Sequence, residues 1–327
     1  MRAYLAADRV AAVRERERAT YAAANPTSHA LSQRAAQHLM FGVPLHWMSD
    51  WSTPFPLHLA HAQGARLTDA DGHRYVDFCL GDTGAMFGHS PPAVARAIAA
   101  QGAQGITTML PGEDGVWVAE ELARRFGLPV WQFALSASDA NRFAIRWARA
   151  LTGRTQVLIF NGCYHGTVDD VFVDLVDGHP RTRDSLLGQV HDLTRTTRVV
   201  EFNDLAALEA ALAPGDVACV LAEPVMTNVG MVRDAPGYLE ALRRLCSETG
   251  TILIFDETHT ISSGYGGHSN SYGPRPDIMV IGKSIGGGVP TAVYGFSEEI
   301  AGRMAKLNTS RPSGHSGIGT TLSANAL

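Results

Sequence analysis

The stretch LIFDETHTISSGYGGHSNSYGPRPDIMVIGKSIGGGVP, residues 253–290, contains two apolar runs that each end in ionisable side chains. The first run ends at Asp256-Glu257 and the second at Gly282-Lys283, and Lys283 is the only lysine of the stretch. A short apolar run bounded by turn residues is typical of a buried strand. The stretch therefore predicts two buried strands that carry ionisable groups at their carboxyl ends.

The same pattern recurs along the chain after Pro92. Helical patterns alternate with short apolar runs at residues 130–135, 157–160, 217–222, 252–255 and 278–281. Such alternation predicts a mostly parallel central sheet covered by helices, which is the α/β fold class. In sheets of this kind ligands bind at the carboxyl ends of the strands. The residues that follow each run are therefore the ones that can form a site.

Those residues are small, acidic, aromatic or cationic. They are Ser136-Ala137-Ser138-Asp139, Asn161-Gly162-Cys163-Tyr164-His165-Gly166, Glu223-Pro224, Asp256-Glu257 and Gly282-Lys283. The serines at 136 and 138 open a predicted helix, where free backbone N–H groups and the helix dipole favour a phosphate. The alternative is a simple helix cap, in which Ser138 accepts a hydrogen bond from a backbone amide.

Asp256 and Lys283 allow three interpretations. A buried carboxylate needs a partner, because leaving it unpaired is costly, and a salt bridge to Lys283 would supply one. Pyridoxal phosphate (PLP) would use both groups, since its aldehyde condenses with a lysine and its pyridine nitrogen binds an aspartate. A metal site would take its ligands from Asp256, Glu257, His259 and His268. We predict no metal, because adjacent acids point to opposite faces of a strand.

Five segments taken together resemble the class III aminotransferase family of fold type I. The segments are FNGCYHG, AEPV, FDETHT, IGKSIGGGVP and GTTLSANAL, and their order is more specific than any one of them. The resemblance extends over residues 24–327 and is strongest to the glutamate-1-semialdehyde aminomutase branch and the related β-amino-acid aminotransferases. It implies a PLP-binding α/β domain together with a small α+β domain built from the N-terminal segment.

The resemblance implies a role for each matching residue. Lys283 would form the internal aldimine with PLP and then move a proton between the substrate carbon and the cofactor. Asp256 would bind the pyridinium nitrogen and Tyr164 would stack on the ring, so these three are the predicted catalytic residues. The other predicted cofactor contacts are Ser136, Ala137, Ser138, His165, Gly166, Glu223, Thr258, Thr320 and Thr321. One of the two last threonines would reach the phosphate from the other subunit, which implies a homodimer.

Three features depart from the family's pattern. SASDA replaces the usual serine-glycine-threonine-glutamate-alanine, a conservative change that should leave cofactor binding intact. Thr258 stands where the family commonly has valine, and the following His259 either reaches the reacting face or turns away to pack or cap. Residues 41–53, directly before PFPL, contain no arginine, the residue with which related enzymes bind a substrate carboxylate. The predicted substrate pocket is instead aromatic and weakly basic, with His46, Trp47, Met48 and His259.

The predicted organisation has four parts. Residues 1–40 form a helical arm, 41–91 the N-terminal part of the small domain, and 92–310 the large PLP-binding domain. Residues 311–327 form a phosphate-contact segment and the start of a helix. In the family that helix leads into a C-terminal small domain. We therefore expect the chain to be a truncated form in which the C-terminal part of the small domain is missing.

Composition and charge bear on partners and location. The formal net charge of -5 and the lack of a basic run predict neither nucleic acid nor a membrane surface as a partner. The four well-separated cysteines suit reduced core residues. No apolar run reaches the roughly 18 residues of a membrane span. The N-terminus, rich in arginine and glutamate, lacks the apolar core of a secretory signal, so we predict a cytoplasmic protein.

The predicted reaction is transamination, in which an amine or amino acid donates its amino group to a keto acid acceptor. An aminomutase or an ammonia-lyase on the same fold is the alternative. A third hypothesis is a non-catalytic, truncated relative that has kept the fold. The missing C-terminal segment favours that hypothesis, whereas the joint presence of Lys283, Asp256 and Tyr164 argues against it.

Overall fold

The computed structural model describes residues 6–310 and 317–327. These residues form two compact units that divide between Ala95 and Arg96. Residues 1–5 of the predicted arm and residues 311–316 of the predicted phosphate-contact segment lie outside the described ranges. Within these ranges, no helix is both long and apolar enough to span a membrane.

The first unit contains two helices followed by a small antiparallel sheet. Its main elements are α1 (Ala7–Ala24), α2 (Pro26–Ala35), β1 (Leu59–Gln63), β2 (Arg66–Asp69) and β3 (Arg74–Val76). The Asp71 carboxylate in the β2–β3 turn accepts hydrogen bonds from the N–H groups of Thr27 (2.6 Å) and Ser28 (3.0 Å), at the start of α2. Helix α1 has no buried residue, α2 begins at Pro26 directly after Asn25, and β1, β2 and β3 pair in antiparallel fashion.

The second unit is built around a seven-stranded sheet. In chain order the helices and strands are α3 (Pro92–Gln104, which begins before the division), α4 (Glu113–Phe126), β4 (Val130–Ala134), α5 (Ala137–Thr152), β5 (Gln156–Phe160), β6 (Val173–Val176), β7 (His179–Thr182), β8 (Thr197–Val200), α6 (Leu205–Leu212), β9 (Val217–Ala222), α7 (Tyr238–Thr249), β10 (Ile252–Asp256), α8 (Gly267–Tyr272), β11 (Ile278–Ile281), β12 (Ala292–Phe296) and α9 (Glu298–Thr309). The strand order is β4-β12-β11-β10-β9-β5-β8, and β6 and β7 form a separate hairpin.

All five apolar runs that predicted strands are strands of this sheet. The pairs β5–β8, β5–β9, β9–β10 and β10–β11 are parallel, whereas β12 is antiparallel to both of its neighbours. The sequence pattern missed β8 and β12. Strand β12 contains Gly295, which pairs with Trp131 of β4, and a Cβ at Gly295 would lie 2.6 Å from the Trp131 ring. The glycine interrupts the apolar run because the indole fills that space.

Burial of the central strands on both faces explains why their sequences are continuous apolar runs. Every residue of β9, β10 and β11 is buried, as expected for parallel strands covered on both faces. Helix α5 packs on the sheet through a buried face that includes Ala140, Ala144 and Ala148. Small side chains let the helix approach the strands closely. The helix begins directly after β4, so its N-terminus lies at the carboxyl end of that strand.

Candidate active site

The first turn of α5 is the anion-binding position that the sequence predicts. Ser136 is the cap residue, and its Oγ accepts from the N–H of Asp139 at 3.2 Å. The helix is capped as the alternative expected, but by Ser136; Ser138 Oγ accepts from a different backbone amide, the N–H of Thr167, at 3.0 Å. The amides of Ala137 and Ser138 have no intrahelical acceptor at this end of the helix. They and the positive end of the helix dipole can hold an anion.

Two glycines bring other strand ends against this first turn. Gly166, after β5, has φ +81°, and a Cβ there would lie 2.0 Å from Ser138 Oγ. Gly282, after β11, is so close to the helix that its Cβ would lie 2.8 Å from Ala137 Cβ. The segments that follow β5 and β11 therefore both pack against the start of α5.

Replacing Gly166 by alanine is expected to lower the free energy of unfolding through two effects. A left-handed backbone conformation costs an L-residue about 1–2 kcal/mol, and overpacking against Ser138 adds about 1–3 kcal/mol. Gly178 has φ +75° with open space around it, so Gly178→Ala carries only the backbone effect. Denaturant unfolding of both variants measures the difference. Equal losses in the two variants would show that the contact with Ser138 is unimportant.

The Asp256 carboxylate, at the end of β10, is buried and accepts three hydrogen bonds. Oδ2 accepts from Asn141 Nδ2 at 2.8 Å and from His165 Nδ1 at 3.0 Å. Oδ1 accepts from the N–H of Thr258 at 3.1 Å. The carboxylate thus connects α5, the segment after β5 and its own strand end.

Asp256 and His165 form a buried ion pair. Burial by itself would raise the pKa of Asp256, but the hydrogen bond and charge of His165, with the bonds from Thr258 and Asn141, hold this pKa below its ordinary value. Burial by itself would lower the pKa of His165, but the neighbouring Cys163 and the Asp256 carboxylate raise it to about 10. These two shifts favour a carboxylate paired with an imidazolium at neutral pH. Asp256 is therefore negative and can hold a protonated ring nitrogen.

Asn141 was missed by sequence reasoning, although it is completely buried and bonds Asp256. Its amide also donates to the carbonyl oxygen of His165 at 3.1 Å, so one side chain orients both members of the ion pair. The available signal was a polar residue next to Ala140, on the apolar face of an amphipathic helix. A buried amide of this kind needs partners.

Lys283 follows Gly282 at the carboxyl end of β11 and contacts the loop after the neighbouring strand, β10. Its Nζ is 2.7 Å from His259 Nε2. Thr258 Oγ1 accepts from the N–H of Gly282 at 3.2 Å, which ties the two loops together one residue earlier. Of the two orientations that the sequence left open for His259, the structure has the imidazole directed at Lys283.

The acid next to Asp256 belongs to a different cluster. Glu257 Oε2 accepts from Thr260 Oγ1 (2.5 Å) and from the N–H of His268 (2.9 Å). Its Oε1 accepts from the N–H of Ser269 (2.7 Å) and from the Ser269 hydroxyl. Glu257 therefore anchors α8, and the two adjacent acids face opposite ways, as the strand periodicity predicts.

Glu223, after β9, is buried and bonds within its own loop. Its Oε2 accepts from the N–H (3.1 Å) and the hydroxyl (2.5 Å) of Thr227. Its Oε1 is buried and has no hydrogen-bond partner among the residues that the structure describes. This oxygen is an acceptor that a bound group can use.

The remaining predicted site residues are on or near the surface. Tyr164 is 42% exposed in the segment after β5. Thr320 and Thr321 are exposed, and the Thr320 hydroxyl is 2.9 Å from the hydroxyl of Ser323. His46, Trp47 and Met48 belong to a 3-10 helix (His46–Ser49) of the first unit. Their predicted contacts with cofactor or substrate stay predictions.

The contacts combine three chemical capacities in one connected set of residues. Gly166 and Gly282 join their loops to the first turn of α5, where an anion can bind. Asp256 can hold a protonated ring nitrogen. The amine of Lys283 can form a covalent bond with a carbonyl group.

The family model and similar known proteins indicate the same protein family. Residues 47–327 match the model of the family described as "Aminotransferase class-III". A glutamate-1-semialdehyde 2,1-aminomutase of Roseiflexus castenholzii is 39% identical over 282 residues, which are 83% of this chain and 62% of that protein. A second such protein, from Cenarchaeum symbiosum, is 36% identical over 85% of this chain and 66% of its own length. The chain thus spans less than two thirds of the length of these relatives.

Solved structures agree with this match. A glutamate-1-semialdehyde-aminomutase from Pseudomonas aeruginosa PAO1 is 49% identical and superimposes with a TM-score of 0.94, over 98% of this chain and 72% of that chain. A lysine-to-alanine variant of a glutamate-1-semialdehyde-aminomutase from the same organism was crystallised in complex with PMP. An omega-transaminase from Sphaerobacter thermophilus is 31% identical with a TM-score of 0.82, over 92% of this chain and 69% of that chain.

Proposed function

The chain belongs to the class III aminotransferase family, and from this premise we propose that it acts as a PLP-dependent enzyme that moves an amino group on a small molecule. The observation that supports the proposal most is the junction of Lys283, Asp256 and the first turn of α5. Each of these three matches one functional group of PLP. The predicted fold type I architecture agrees with the matched structures.

The residues present fit PLP because they offer an amine, a carboxylate and free backbone N–H groups, and because the strand ends that bear the first two pack near the start of α5. When bound, PLP supplies an aldehyde and a ring that accepts the electron pair left on a substrate carbon. We assign Lys283 to the aldehyde and Asp256 to the ring nitrogen. The amides of Ala137 and Ser138 would hold the phosphate, because free N–H groups at a helix N-terminus bind anions. The glycines at 166 and 282 let the two adjacent loops pack close to this turn. Tyr164 would cover the ring.

Within the site, His165 and Asn141 fix the orientation of the Asp256 carboxylate, whose negative charge would keep the ring nitrogen of bound PLP protonated. The Lys283 amine is the group that takes a proton from a substrate carbon and returns it to another atom. Thr258 links the Asp256 segment to the lysine segment through the Gly282 N–H. These residues serve transamination and amino-group migration alike.

Among these reactions we propose the aminomutase reaction, in which the amino group moves within one substrate. The two aminomutase matches with sequence identities of 39% and 49% support this choice. Transamination, the reaction predicted from the sequence, is the second candidate. It is supported by the omega-transaminase match at 31% identity.

Product analysis of the full-length protein, loaded with PLP, tests the two candidates. The substrates are glutamate-1-semialdehyde, the compound in the relatives' names, and a panel of amines and amino acids, each with and without a keto acid. A rearranged product without any keto acid identifies an aminomutase, and an amino group recovered on the keto acid identifies a transaminase. Release of free ammonia indicates a lyase. Absence of cofactor absorbance after loading would overturn the proposal and favour a non-catalytic relative.

We also propose that the protein is a homodimer in which Thr320 or Thr321 contacts the phosphate bound by the other subunit. Apolar side chains of the second unit support a protein partner, because Met109, Leu110 and Trp117 are 79%, 72% and 64% exposed. The mass of the full-length protein in solution, by light scattering, tests the oligomeric state.

A further inference from the structure

The hydrogen bond between Lys283 Nζ and His259 Nε2, 2.7 Å long, connects a titratable side chain to the predicted reactive amine. We propose that His259 is the proton carrier of Lys283, which takes protons from Nζ and returns them while this amine condenses with an aldehyde. The proposal rests on the proposed function, because it takes Lys283 as the residue that binds the cofactor. It adds a residue and a step that the family match does not assign.

Backbone contacts before His259 hold it in position. The Thr258 N–H donates to Asp256 Oδ1 (3.1 Å), so the residue before the histidine is tied to a buried carboxylate. The Thr258 hydroxyl accepts from the N–H of Gly282 (3.2 Å), the residue before the lysine. One side chain therefore sets the distance between the two segments that carry the imidazole and the amine.

Contacts after His259 hold the other side of the loop. The Thr260 hydroxyl donates to the buried carboxylate of Glu257 (2.5 Å). This carboxylate is itself held by the N–H groups of His268 and Ser269, at 2.9 and 2.7 Å. The histidine is thus fixed from both sides, and its approach to Lys283 follows from the backbone.

The backbone of Lys283 is also constrained. Its φ of +50° lies in the left-handed region, which is unfavourable for a residue with a side chain. Gly282 is pressed against Ala137, so the chain cannot shift toward α5 at that point. The lysine therefore leaves β11 in one direction, and that direction leads to the imidazole.

The chemistry of the condensation explains what such a partner does. A lysine ammonium carries three hydrogens on nitrogen. When it joins an aldehyde, two of them leave with the aldehyde oxygen as water and one stays on nitrogen, so atoms and charge balance. The two protons must travel from nitrogen to oxygen. An imidazole can take up and release a proton near neutral pH, so Nε2 at hydrogen-bond distance from Nζ can carry them in turn.

A hydrogen bond that only positions the lysine is the competing explanation, and glutamine separates the two. The amide of His259→Gln can still form a hydrogen bond to Nζ, but it cannot accept a proton at neutral pH. A positioning role therefore survives the glutamine change, whereas proton transfer does not. His259→Ala removes both and leaves space for imidazole added to the buffer.

The experiment measures how fast Lys283 captures PLP, without any substrate. The full-length protein is freed of cofactor, mixed with PLP, and reduced with borohydride at successive times, and the modified peptides are quantified by mass spectrometry. This chain has only two lysines, and Lys306 on α9 is exposed, so its peptide is the internal reference for non-specific reaction. His191→Gln, at an exposed histidine, is the matched control variant.

We expect His259→Gln to slow capture at Lys283 by about tenfold or more. This figure is conservative, because a positioned general base typically accelerates a reaction by about 10²-fold or more. Added imidazole should speed capture in His259→Ala and leave the native protein unchanged. Capture at the native rate in His259→Gln, or no effect of imidazole on His259→Ala, would overturn the proposal. If the native protein acquires no PLP on Lys283, the proposed function fails instead.

Discussion

Replacing Lys283 by alanine is expected to abolish turnover and the covalent attachment of PLP. The amine is the only group at this end of the sheet that we assign to the cofactor aldehyde, and a removed covalent nucleophile costs ~10⁴-fold or more in rate. PLP should still bind weakly, because the first turn of α5 and Asp256 remain. Borohydride treatment followed by peptide mass spectrometry should find no cofactor on this variant.

Lys306→Ala is the matched control for this experiment. It removes the chain's other lysine from the exposed surface of α9 and should leave cofactor attachment and turnover as they are. The folded state of Lys283→Ala is checked by its unfolding midpoint. We expect little change there, because alanine inherits the same positive φ as lysine. Activity retained by Lys283→Ala would refute the assigned role of Lys283.

Replacing Asp256 by alanine is expected to damage both stability and cofactor binding. It removes the counter-charge of the buried His165 and the acceptor of three hydrogen bonds, and losing one partner of a buried ion pair costs about 3–5 kcal/mol. Asp256→Asn is the comparison variant, since an amide keeps hydrogen-bonding capacity but removes the charge. Denaturant unfolding measures stability, and the absorbance of bound PLP follows the cofactor. Equal stability of Asp256→Ala and the native protein would contradict the ion pair.

The pH dependence of unfolding offers an independent check on the same pair. The pKa of His165 is raised from 6.5 to about 10 in the folded protein. The stabilisation that His165 contributes is therefore complete below pH 6.5 and is lost as the pH rises toward 10. Asp256→Asn should reduce the slope of this part of the stability profile, because the Asp256 carboxylate is one of the two groups that raise the pKa of His165. An unchanged slope between pH 6.5 and 10 in that variant would assign the titration to another group.

The chemistry of cofactor binding could be predicted from the sequence, because local sequence patterns indicated the strand ends and the residues that follow them. Buried strands of a parallel sheet are short apolar runs, and their carboxyl ends meet at one edge, so the residues after each run could be grouped without a structure. Lys283 after β11 and Asp256 at the end of β10 followed directly from that rule. The anion site predicted at the start of α5 followed from the free backbone N–H groups of a helix N-terminus.

What the sequence by itself determined is the succession along the chain of five of the sheet's strands and the residue types at their carboxyl ends, because these depend on neighbours along the chain. Only the tertiary structure decided which side chains meet. Asn141 and Asp256 are 115 residues apart, and the orientation of His259 toward Lys283 depends on Thr258 and Gly282 lying side by side. Such contacts depend on the order of the strands within the sheet and on the direction of each side chain, and no local sequence pattern specifies either of these.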